Sequence, residues 1–305
     1  KAKKYLTTTK KTNSSSNTSE PSDTNSTVSQ QAQNNSSQSS TVTSSQSSTV
    51  TSSETITTNK DTSTENTEEP KKMKYNIKTI ARLGWRPYTG NLPQQSIISY
   101  QKAYETGHRI LLCDIRLTAD GYMVCCHDDD ISKVTAYNSN GNKVSSGTVK
   151  ISETTLNDLL TYDFGKYKNQ DGLKILRPQE FTQLCAQYPD VTPCFELKTM
   201  TQEKLSELVA LIKEYGFENN VMLISSNATI RQAIATALPQ STIGVWRYSM
   251  NDKLIEQMAS LTSAGKFIYI GKEGGEEGKA SISMENYMKC KEKGVDIAYT
   301  YIASN

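Results

Sequence analysis

The pattern of hydrophobic and polar positions changes sharply after residue 72. Residues 1–72 are dominated by Ser, Thr, Asn, Gln and Glu, and they show no apolar period that could build a core. From residue 73 onward, short apolar runs alternate with stretches in which apolar residues recur at helical spacing. The sequence therefore predicts a disordered Ser/Thr/Asn-rich segment, 1–72, followed by one folded domain, 73–305.

Within the folded domain, predicted strands and helices alternate, and several of the helices end at a Gly. The predicted strands are 75–82, 109–116, 192–197, 221–225, 242–248, 267–270 and 296–301, with an extra strand at 123–127. The predicted helices are 96–106, 152–160, 178–187, 202–215, 229–237, 252–263 and 284–293. This alternation predicts a parallel sheet covered by helices, of the TIM-type (β/α)8 class. Because only seven βα strands are counted and a closed barrel has eight, we expect a missing last βα unit or a departure from standard closure.

Composition narrows the range of functions. The net charge is +2 and the basic residues are scattered apart from short runs at 1–4 and 71–74, which argues against nucleic acid as a partner. No apolar run is long enough to cross a bilayer. None of the six cysteines forms a CxxC pair, and we expect them to act mostly as small buried hydrophobes. A small-molecule substrate remains the leading expectation, while the oligomeric state stays open.

The N-terminal segment carries a tandem octapeptide, SSQSSTVT, at 36–43 and again at 44–51. A repeat without amphipathic period is typical of a disordered spacer, which could hold the folded domain away from an anchor or wall. An inert tail is the alternative. We therefore favour an extracellular or cell-surface location, and a cytoplasmic one stays open.

Several candidate catalytic or metal-binding residues lie in or near the stretch 111–128, whose pattern predicts a strand, a tight turn and a second strand. Asp114 lies near the end of the first strand and His127 ends the second, while Glu196 and Lys198 share one face of a later strand. These residues can meet at the mouth of a barrel as an acid–base or metal site. A structural Glu196–Lys198 pair with a capping His127 is an equally good interpretation.

An ordered series of motifs resembles the glycerophosphodiester phosphodiesterase family. The matching segments, each with the family motif it resembles, are 80–84 (His-Arg-Gly), 93–96 (Pro-Glu-Asn-Thr), 112–114 with 117–121 (Glu-x-Asp and a Thr–Asp–Gly segment), 127–128 (His-Asp), 195–198 (Ile-Glu-Leu-Lys) and 298–300 (Trp-Thr). Any one motif is weak, but their order and spacing are specific.

The resemblance implies a TIM barrel with a divalent metal, Ca or Mg, and two histidines that act as general acid and base. Carried onto this chain, it implies Asp114 and Glu196 as metal ligands, and His127 and Lys198 as catalytic residues. In the hydrolase hypothesis Lys198 also contacts the substrate phosphate, together with Arg82, whose planar guanidinium suits a phosphate oxygen.

Three residues depart from the family pattern. Arg82 stands in place of the first histidine, Leu112 in place of one metal carboxylate, and Gln94 in place of an acidic residue. A leucine cannot bind a hard cation, and an always-protonated arginine cannot act as a base. Arg82 can instead clamp a phosphate oxygen, or form a salt bridge to Asp114 or Glu196.

Two functional hypotheses follow. The first is a phosphoric diester hydrolase that acts on deacylated phospholipids or on a wall polymer with glycerol-phosphate links. The second is a catalytically degenerate barrel that binds phosphate or phospholipid headgroups at the cell surface. Residues 246–248 could line a headgroup pocket or belong to the core, 272–279 should form a rim loop, and His108 should be a surface residue.

Overall fold

The computed structural model describes residues 80–85, 91–247, 249–270 and 283–299, in which strands and helices alternate. The strands among them are β1 (Ile80–Arg82), β2 (Ile110–Leu117), β3 (Met123–Cys125), β4 (Thr192–Leu197), β5 (Met222–Ser225), β6 (Thr242–Arg247), β7 (Gly265–Ile270) and β8 (Asp296–Tyr299). The α-helices among them are α1 (Ile97–Glu105), α2 (Leu156–Leu159), α3 (Pro178–Cys185), α4 (Gln202–Glu214), α5 (Ala228–Ala237), α6 (Asp252–Ala259) and α7 (Met284–Glu292).

The strands form a curled parallel sheet in the order β1-β2-β4-β5-β6-β7-β8, and β3 pairs antiparallel with β2 at its side. Among the described residues β1 pairs only with β2 and β8 only with β7, so the barrel is open between them. The predicted barrel-type fold is confirmed, with the seven parallel strands that the alternation indicated. Because parallel strands share one direction, their carboxyl ends meet at one rim, where the candidate site lies.

Local sequence explains where the helices begin and end. Ser, Thr or Asn side chains accept hydrogen bonds from first-turn N–H groups at the N-terminus of five of the longer helices, those capped by Ser96, Thr201, Asn227, Asn251 and Ser283. After α1 and α4 the chain turns at a Gly with φ of 95° and 74°, a conformation that glycine adopts without strain.

The two faces of the sheet bury different clusters. The larger apolar cluster lies between the sheet and the helices and includes Leu111, Cys113 and Ile115 of β2. A smaller cluster fills the inside of the barrel and includes Leu112 of β2 and Cys194 of β4. The alternation along β2 thus places Leu112 and its neighbour Asp114 on the inner face.

Between β3 and α3 the chain forms an insertion, residues 126–177, with an apolar cluster of its own. Here the predicted helix 152–160 is wrong in part, since a short 3-10 turn, Ile151–Glu153, precedes a separate one-turn helix α2. The break occurs because the Thr155 hydroxyl accepts from the Asp158 N–H and starts the new helix.

Other differences concern element ends. Helix α6 stops at Ala259 rather than 263, because Leu261 turns into the core and Ser263 donates to the Gly265 carbonyl. Strand β3 ends at Cys125, two residues before the predicted end. The predictions for 1–72, for strand residues 75–79 and 300–301, and for the rim loop 272–279 lie outside the described residues. None of the helices that the structure describes has the length and apolar character that a bilayer crossing requires.

Candidate active site

Two buried carboxylates face each other across neighbouring strands at the centre of the site. Asp114 on β2 and Glu196 on β4 are direct partners in the parallel register. The two residues are 0 % and 7 % exposed. A buried pair of acids needs compensating positive charge, because an unpaired buried carboxylate carries a large desolvation cost.

Lys198 supplies this charge from the residue after the end of β4. Its Nζ lies 3.2 Å from Asp114 Oδ1 and donates a hydrogen bond to Glu196 Oε1. The main-chain N–H of Lys198 donates to the Ile115 carbonyl at 3.0 Å, which fixes this part of the chain beside β2. The ammonium therefore bridges the two carboxylates that the sequence predicts as metal ligands.

The two acids respond to this environment in opposite directions. Burial, and after it the negative charge of Glu196, raises the pKa of Asp114 above its ordinary value of 3.8. Burial also acts to raise the pKa of Glu196, but Lys198 and Arg82 outweigh it and hold that pKa below its ordinary value of 4.5. Glu196 is therefore the carboxylate that keeps its negative charge furthest into the acidic range.

Gln95 fixes the Asp114 side chain at two points. Its Nε2 donates to Asp114 Oδ2 at 3.0 Å, and its Oε1 accepts from the Asp114 main-chain N–H at 2.9 Å. Gln95 adopts a φ of 50°, which is uncommon for a residue with a side chain, and its own N–H donates to the Leu83 carbonyl. Sequence reasoning missed this role, although Gln95 lies within the motif 93–96 that carries the family resemblance.

Arg82 ends β1 and connects the carboxylates to the histidine. Its Nη2 donates to His127 Nε2 at 2.9 Å and lies 3.9 Å from Glu196 Oε2. Arg82 approaches Glu196 without forming a short ion pair with it. This arrangement is compatible with both interpretations of Arg82, the phosphate clamp and the salt bridge. Arg82 Nε is buried and has no hydrogen-bond partner among the described residues. Such a donor is costly to leave unpaired and is suited to an anionic ligand oxygen.

His127 is held on both sides and through its main chain. Because arginine can only donate, Nε2 is the accepting nitrogen, and Nδ1 carries the proton that it donates to Asp128 Oδ2 at 3.0 Å. Arg116 donates from Nε and Nη2 to the His127 carbonyl at 3.1 and 2.8 Å. This positioning role of Arg116 was also missed, because sequence alone gives only its face on β2. The tautomer leaves a basic lone pair aimed at Arg82.

The metal that the resemblance implies has a poor donor set here. Two carboxylates are present, but an ammonium already bridges them, and Leu112 offers no oxygen from the third position. In the described part of the chain, no group of three or more His, Cys, Asp or Glu side chains is arranged around a common metal position. Calcium takes six to eight oxygen ligands, and the described residues do not offer that number. The Ca or Mg site predicted at Asp114 and Glu196 is therefore still only a prediction.

A small, open cleft lies beside His127. The motif residues 94–96 form one side, and Phe164 and Lys174 of the insertion lie on another. The Gln94 N–H donates to the Tyr167 hydroxyl at 3.3 Å, which ties the motif to the insertion. The cleft therefore runs between the barrel and the insertion and opens at the histidine.

The remaining candidates have other contacts. Trp246 is half-buried and packs on the inner apolar cluster, while Arg247 donates to the carbonyls of Trp246 and Ser226. Residue 248 lies outside the described residues. His108 contacts the Ala103 carbonyl at the start of β2, which is the other end of the sheet. All six cysteines are free and buried, as the sequence predicts.

The family model for the glycerophosphoryl diester phosphodiesterase family matches residues 86–265, which is more than half of the 305-residue chain. The chain belongs to this family. The match begins after Arg82 and ends before β8, so the motifs at 80–84 and 298–300 lie outside it. The resemblance predicted from the motif series is confirmed.

Similar proteins carry the same description. A glycerophosphodiester phosphodiesterase of Caldanaerobacter subterraneus is 29 % identical over 174 residues, which cover 55 % of this chain and 67 % of that protein. Among solved structures, an Oleispira antarctica phosphodiesterase in complex with the product sn-glycerol-3-phosphate has a TM-score of 0.55 at 20 % identity, covering 73 % of this chain and 83 % of the other. A Silicibacter pomeroyi protein described as a glycerophosphoryl diester phosphodiesterase has a TM-score of 0.56 at 16 % identity, covering 69 % and 79 %. The likeness to the two solved structures supports the barrel fold.

Proposed function

We propose that this chain hydrolyses glycerophosphodiesters at the site formed by Arg82, His127 and Lys198. One observation carries the proposal: the basic nitrogen of His127 and the guanidinium of Arg82 lie 2.9 Å apart, beside an ammonium. A base and two cations in one place match the needs of phosphoryl transfer, which requires proton removal and stabilisation of phosphate charge.

In this proposal the substrate phosphate releases the base. Arg82 donates to His127 Nε2 when no phosphate is bound, and a phosphate oxygen is a stronger acceptor for the same N–H. Binding thus draws the guanidinium onto the phosphate and frees the lone pair of His127. Asp128, which accepts from Nδ1, stabilises the imidazolium that forms when the base takes up a proton.

In the chemical step a water oxygen attacks phosphorus, and its proton passes to His127 Nε2. The bond from phosphorus to the departing alcohol breaks, and that alkoxide takes a proton from solvent. Lys198 and Arg82 stabilise the negative charge on the phosphate oxygens during the transfer. The substrate class rests on the family and on the sn-glycerol-3-phosphate bound to the Oleispira relative.

The two histidines of the chain offer a matched test. Purified full-length protein is incubated with glycerophosphocholine, and release of glycerol 3-phosphate is measured. We expect turnover in the wild type and in His108→Ala, and a loss of at least about 100-fold in His127→Ala, in keeping with removal of a general base. Equal rates in the wild type and His127→Ala would contradict the proposal.

A second candidate, a phosphate- or headgroup-binding barrel without turnover, is favoured by one observation. Arg82 stands where the family carries a histidine and is always protonated, so it binds phosphate but moves no proton. This candidate predicts that glycerol 3-phosphate binding, measured by calorimetry, survives His127→Ala and is lost in Arg82→Ala. No heat in the wild type would exclude it.

The location of the chain also belongs to this proposal. We propose display at the cell surface, supported by the repeat-bearing polar segment 1–72 that precedes the folded domain. Proteinase treatment of intact cells is expected to degrade the protein while leaving a cytoplasmic marker intact. Protection of both would place the chain inside the cell.

A further inference from the structure

A tyrosine that the reaction above does not use lies at the carboxyl end of the sheet. The register of the parallel strands connects Asp114 and Glu196, through β5 and β6, with Phe267 on β7. Because every second residue of a strand faces inward, Tyr269 is the next inward residue of β7 and lies one layer nearer the rim. It belongs to the apolar cluster that fills the inside of the barrel. Tyr269 therefore lies inside the barrel, close to its mouth.

The packing next to Tyr269 keeps its ring at this level. The Phe267 ring occupies the space beside Gly244 on β6, where an added Cβ would collide with that ring. Tyr269 packs edge-on against Phe267, with the ring centroids 6.4 Å apart and the planes at 73°. Phe267 is fully buried and Tyr269 is 3 % exposed. Since Phe267 already fills the interior, the phenol stays on the side of the mouth.

The hydroxyl of Tyr269 is an available donor. It makes no hydrogen bond to another described residue, whereas a buried tyrosine hydroxyl usually has a partner. Burial raises the pKa of Tyr269 to about 12, and the nearby charge of Arg82 acts against this rise while that of Glu196 adds to it. The phenol therefore lies near the charged groups of the site and carries its proton at neutral pH.

The strand that carries Tyr269 lies across the barrel from the base. In phosphoryl transfer the attacking and leaving oxygens are roughly in line through phosphorus, so a base and an acid act from opposite sides. His127 lies beside β2, where Arg116 holds its carbonyl. From β2 to β7 there are four steps in the sheet order, through β4, β5 and β6, which is the opposite wall of an eight-position barrel. A donor on β7 thus faces the side on which the alcohol leaves.

We infer that Tyr269 is the general acid that protonates the departing alcohol. As the bond from phosphorus to the alcohol oxygen breaks, its electron pair stays on that oxygen, which takes the phenolic proton. The positive charge of Arg82 stabilises the phenolate, which then regains a proton from solvent, so that solvent is still the final source of the proton. Arg82 itself cannot serve as the acid, because a guanidinium keeps its proton. The inference rests on the proposed function and adds the residue that serves the leaving group.

A comparison of two leaving groups tests this role. An alkoxide is strongly basic and needs an acid, whereas p-nitrophenolate leaves without one. Turnover of glycerophosphocholine and of the p-nitrophenyl ester of glycerol 3-phosphate is measured in the wild type and in Tyr269→Phe. We expect Tyr269→Phe to lose about 100-fold with glycerophosphocholine, and less than about twofold in p-nitrophenol release. Equal losses with both esters, or no loss with either, would overturn the inference.

Two reference variants frame this comparison. Tyr122 is 56 % exposed and lies in the turn between β2 and β3, so Tyr122→Phe should change neither rate. His127→Ala removes the base that both esters need, so it should slow both of them. The selective loss in Tyr269→Phe would then differ from a silent substitution and from a general loss of catalysis.

Thermal unfolding tests whether the hydroxyl acts through the fold instead. Tyr269→Phe deletes a hydroxyl without a partner among the described residues, so we expect an unchanged Tm. Tyr100 is the matched comparison, because it is fully buried and its hydroxyl donates to the Leu112 carbonyl at 2.9 Å. Tyr100→Phe should lower Tm. A fall in Tm for Tyr269→Phe as large as that for Tyr100→Phe would assign the hydroxyl to stability and refute the acid role.

The failure of this inference is distinguishable from failure of the proposed function. If the wild type releases neither choline nor p-nitrophenol, the proposed function is refuted, and the inference with it. If the wild type releases both and Tyr269→Phe slows their release equally, the inference alone is refuted.

Discussion

Positive charge is buried at two places near the carboxyl ends of the strands, and it is compensated in two different ways. Around Asp114 and Glu196, the cations Lys198 and Arg82 meet carboxylates. Between β5 and α6, Arg231 donates instead to the main-chain carbonyl of Ser225 and reaches the side-chain oxygen of Gln257 at 3.5 Å. The first place opens to solvent, whereas Arg231 is only 1 % exposed.

The difference teaches how to separate a ligand site from a structural one when both contain arginine. Each of Arg82 and Arg231 has a buried Nε without a hydrogen-bond partner among the described residues. Only Arg82 combines that donor with 22 % side-chain exposure and a neighbouring base. Burial, and after it the nearby positive charge of Arg247, lowers the pKa of Arg231 to about 10. We therefore treat Arg231 as support for the strand ends.

The largest expected effect comes from Arg231→Ala. The substitution leaves a cavity and an unpaired Ser225 carbonyl, and we expect a loss of about 3 kcal/mol in the free energy of unfolding. Urea unfolding followed by circular dichroism measures it. Arg109→Ala, which removes an arginine paired with Asp190 on the surface, is the control and should change stability by less than about 1 kcal/mol. Equal losses of unfolding free energy in Arg231→Ala and Arg109→Ala would contradict the distinction between a buried structural arginine and a surface one.

Gln95→Leu should have the next largest effect. It leaves both the Asp114 main-chain N–H and one carboxylate oxygen without their partner, so we expect about 2 kcal/mol of destabilisation. Phosphate affinity should fall too, since Asp114 no longer holds Lys198 in a fixed position. The exposed Gln183→Leu on α3 is the control in the same unfolding assay. A Gln95→Leu variant as stable as this control would mean that the two-point contact adds nothing.

Glu196→Gln tests the carboxylate side through pH. Because the pKa of Glu196 is lowered in the fold, its stabilising contribution is present above 4.5 and is lost as pH falls through the lowered pKa. We expect the wild type to exceed Glu196→Gln by about 1 kcal/mol at neutral pH, with the gap closing below about pH 4.5. Unfolding curves at several pH values measure the gap. A gap that widens on acidification would show that the pKa of Glu196 is raised.

The smallest expected change in stability belongs to Arg82→Ala. Its side chain is partly exposed and its contact with Glu196 is long, so we expect a change below about 1 kcal/mol. Glycerol 3-phosphate affinity should nevertheless fall at least tenfold, measured by calorimetry. The two variants would then differ in the property that they change most, stability in Arg231→Ala and ligand binding in Arg82→Ala. A destabilisation of Arg82→Ala as large as that of Arg231→Ala would contradict this difference.

Sequence reasoning reached the fold and most members of the site for a simple reason. Strand periodicity places Asp114 and Glu196 on inner faces, and parallel strands bring their ends to one rim. The direct pairing of those residues in the register therefore follows from the topology. The strand pattern also pointed to His127, and the comparison with the family motifs added Arg82; the structure brings the two within hydrogen-bond distance.

The remainder depended on side-chain geometry that no period encodes. The position of the Lys198 ammonium between two acids follows from its rotamer, and the Gln95 contact follows from a loop with a left-handed residue. The buried position of Arg231 was equally hidden, because an arginine early in a helix is usually solvent-exposed. Charge compensation in the interior is thus the part that required coordinates.

The cleft beside His127 joins two separately packed cores, and this has a consequence for how the protein can diversify. Val134 and Ile175 on its wall pack in the core of the insertion, while Leu176, near the end of the insertion, packs in the larger core of the barrel. Exchanges in the insertion core can reshape the wall without touching the carboxylate–lysine pair on β2 and β4. If the proposed function holds, substrate preference and phosphate chemistry can evolve separately, and a library confined to the wall residues Val134, Phe164, Leu173 and Ile175 is a rational starting point for altering the preferred alcohol group.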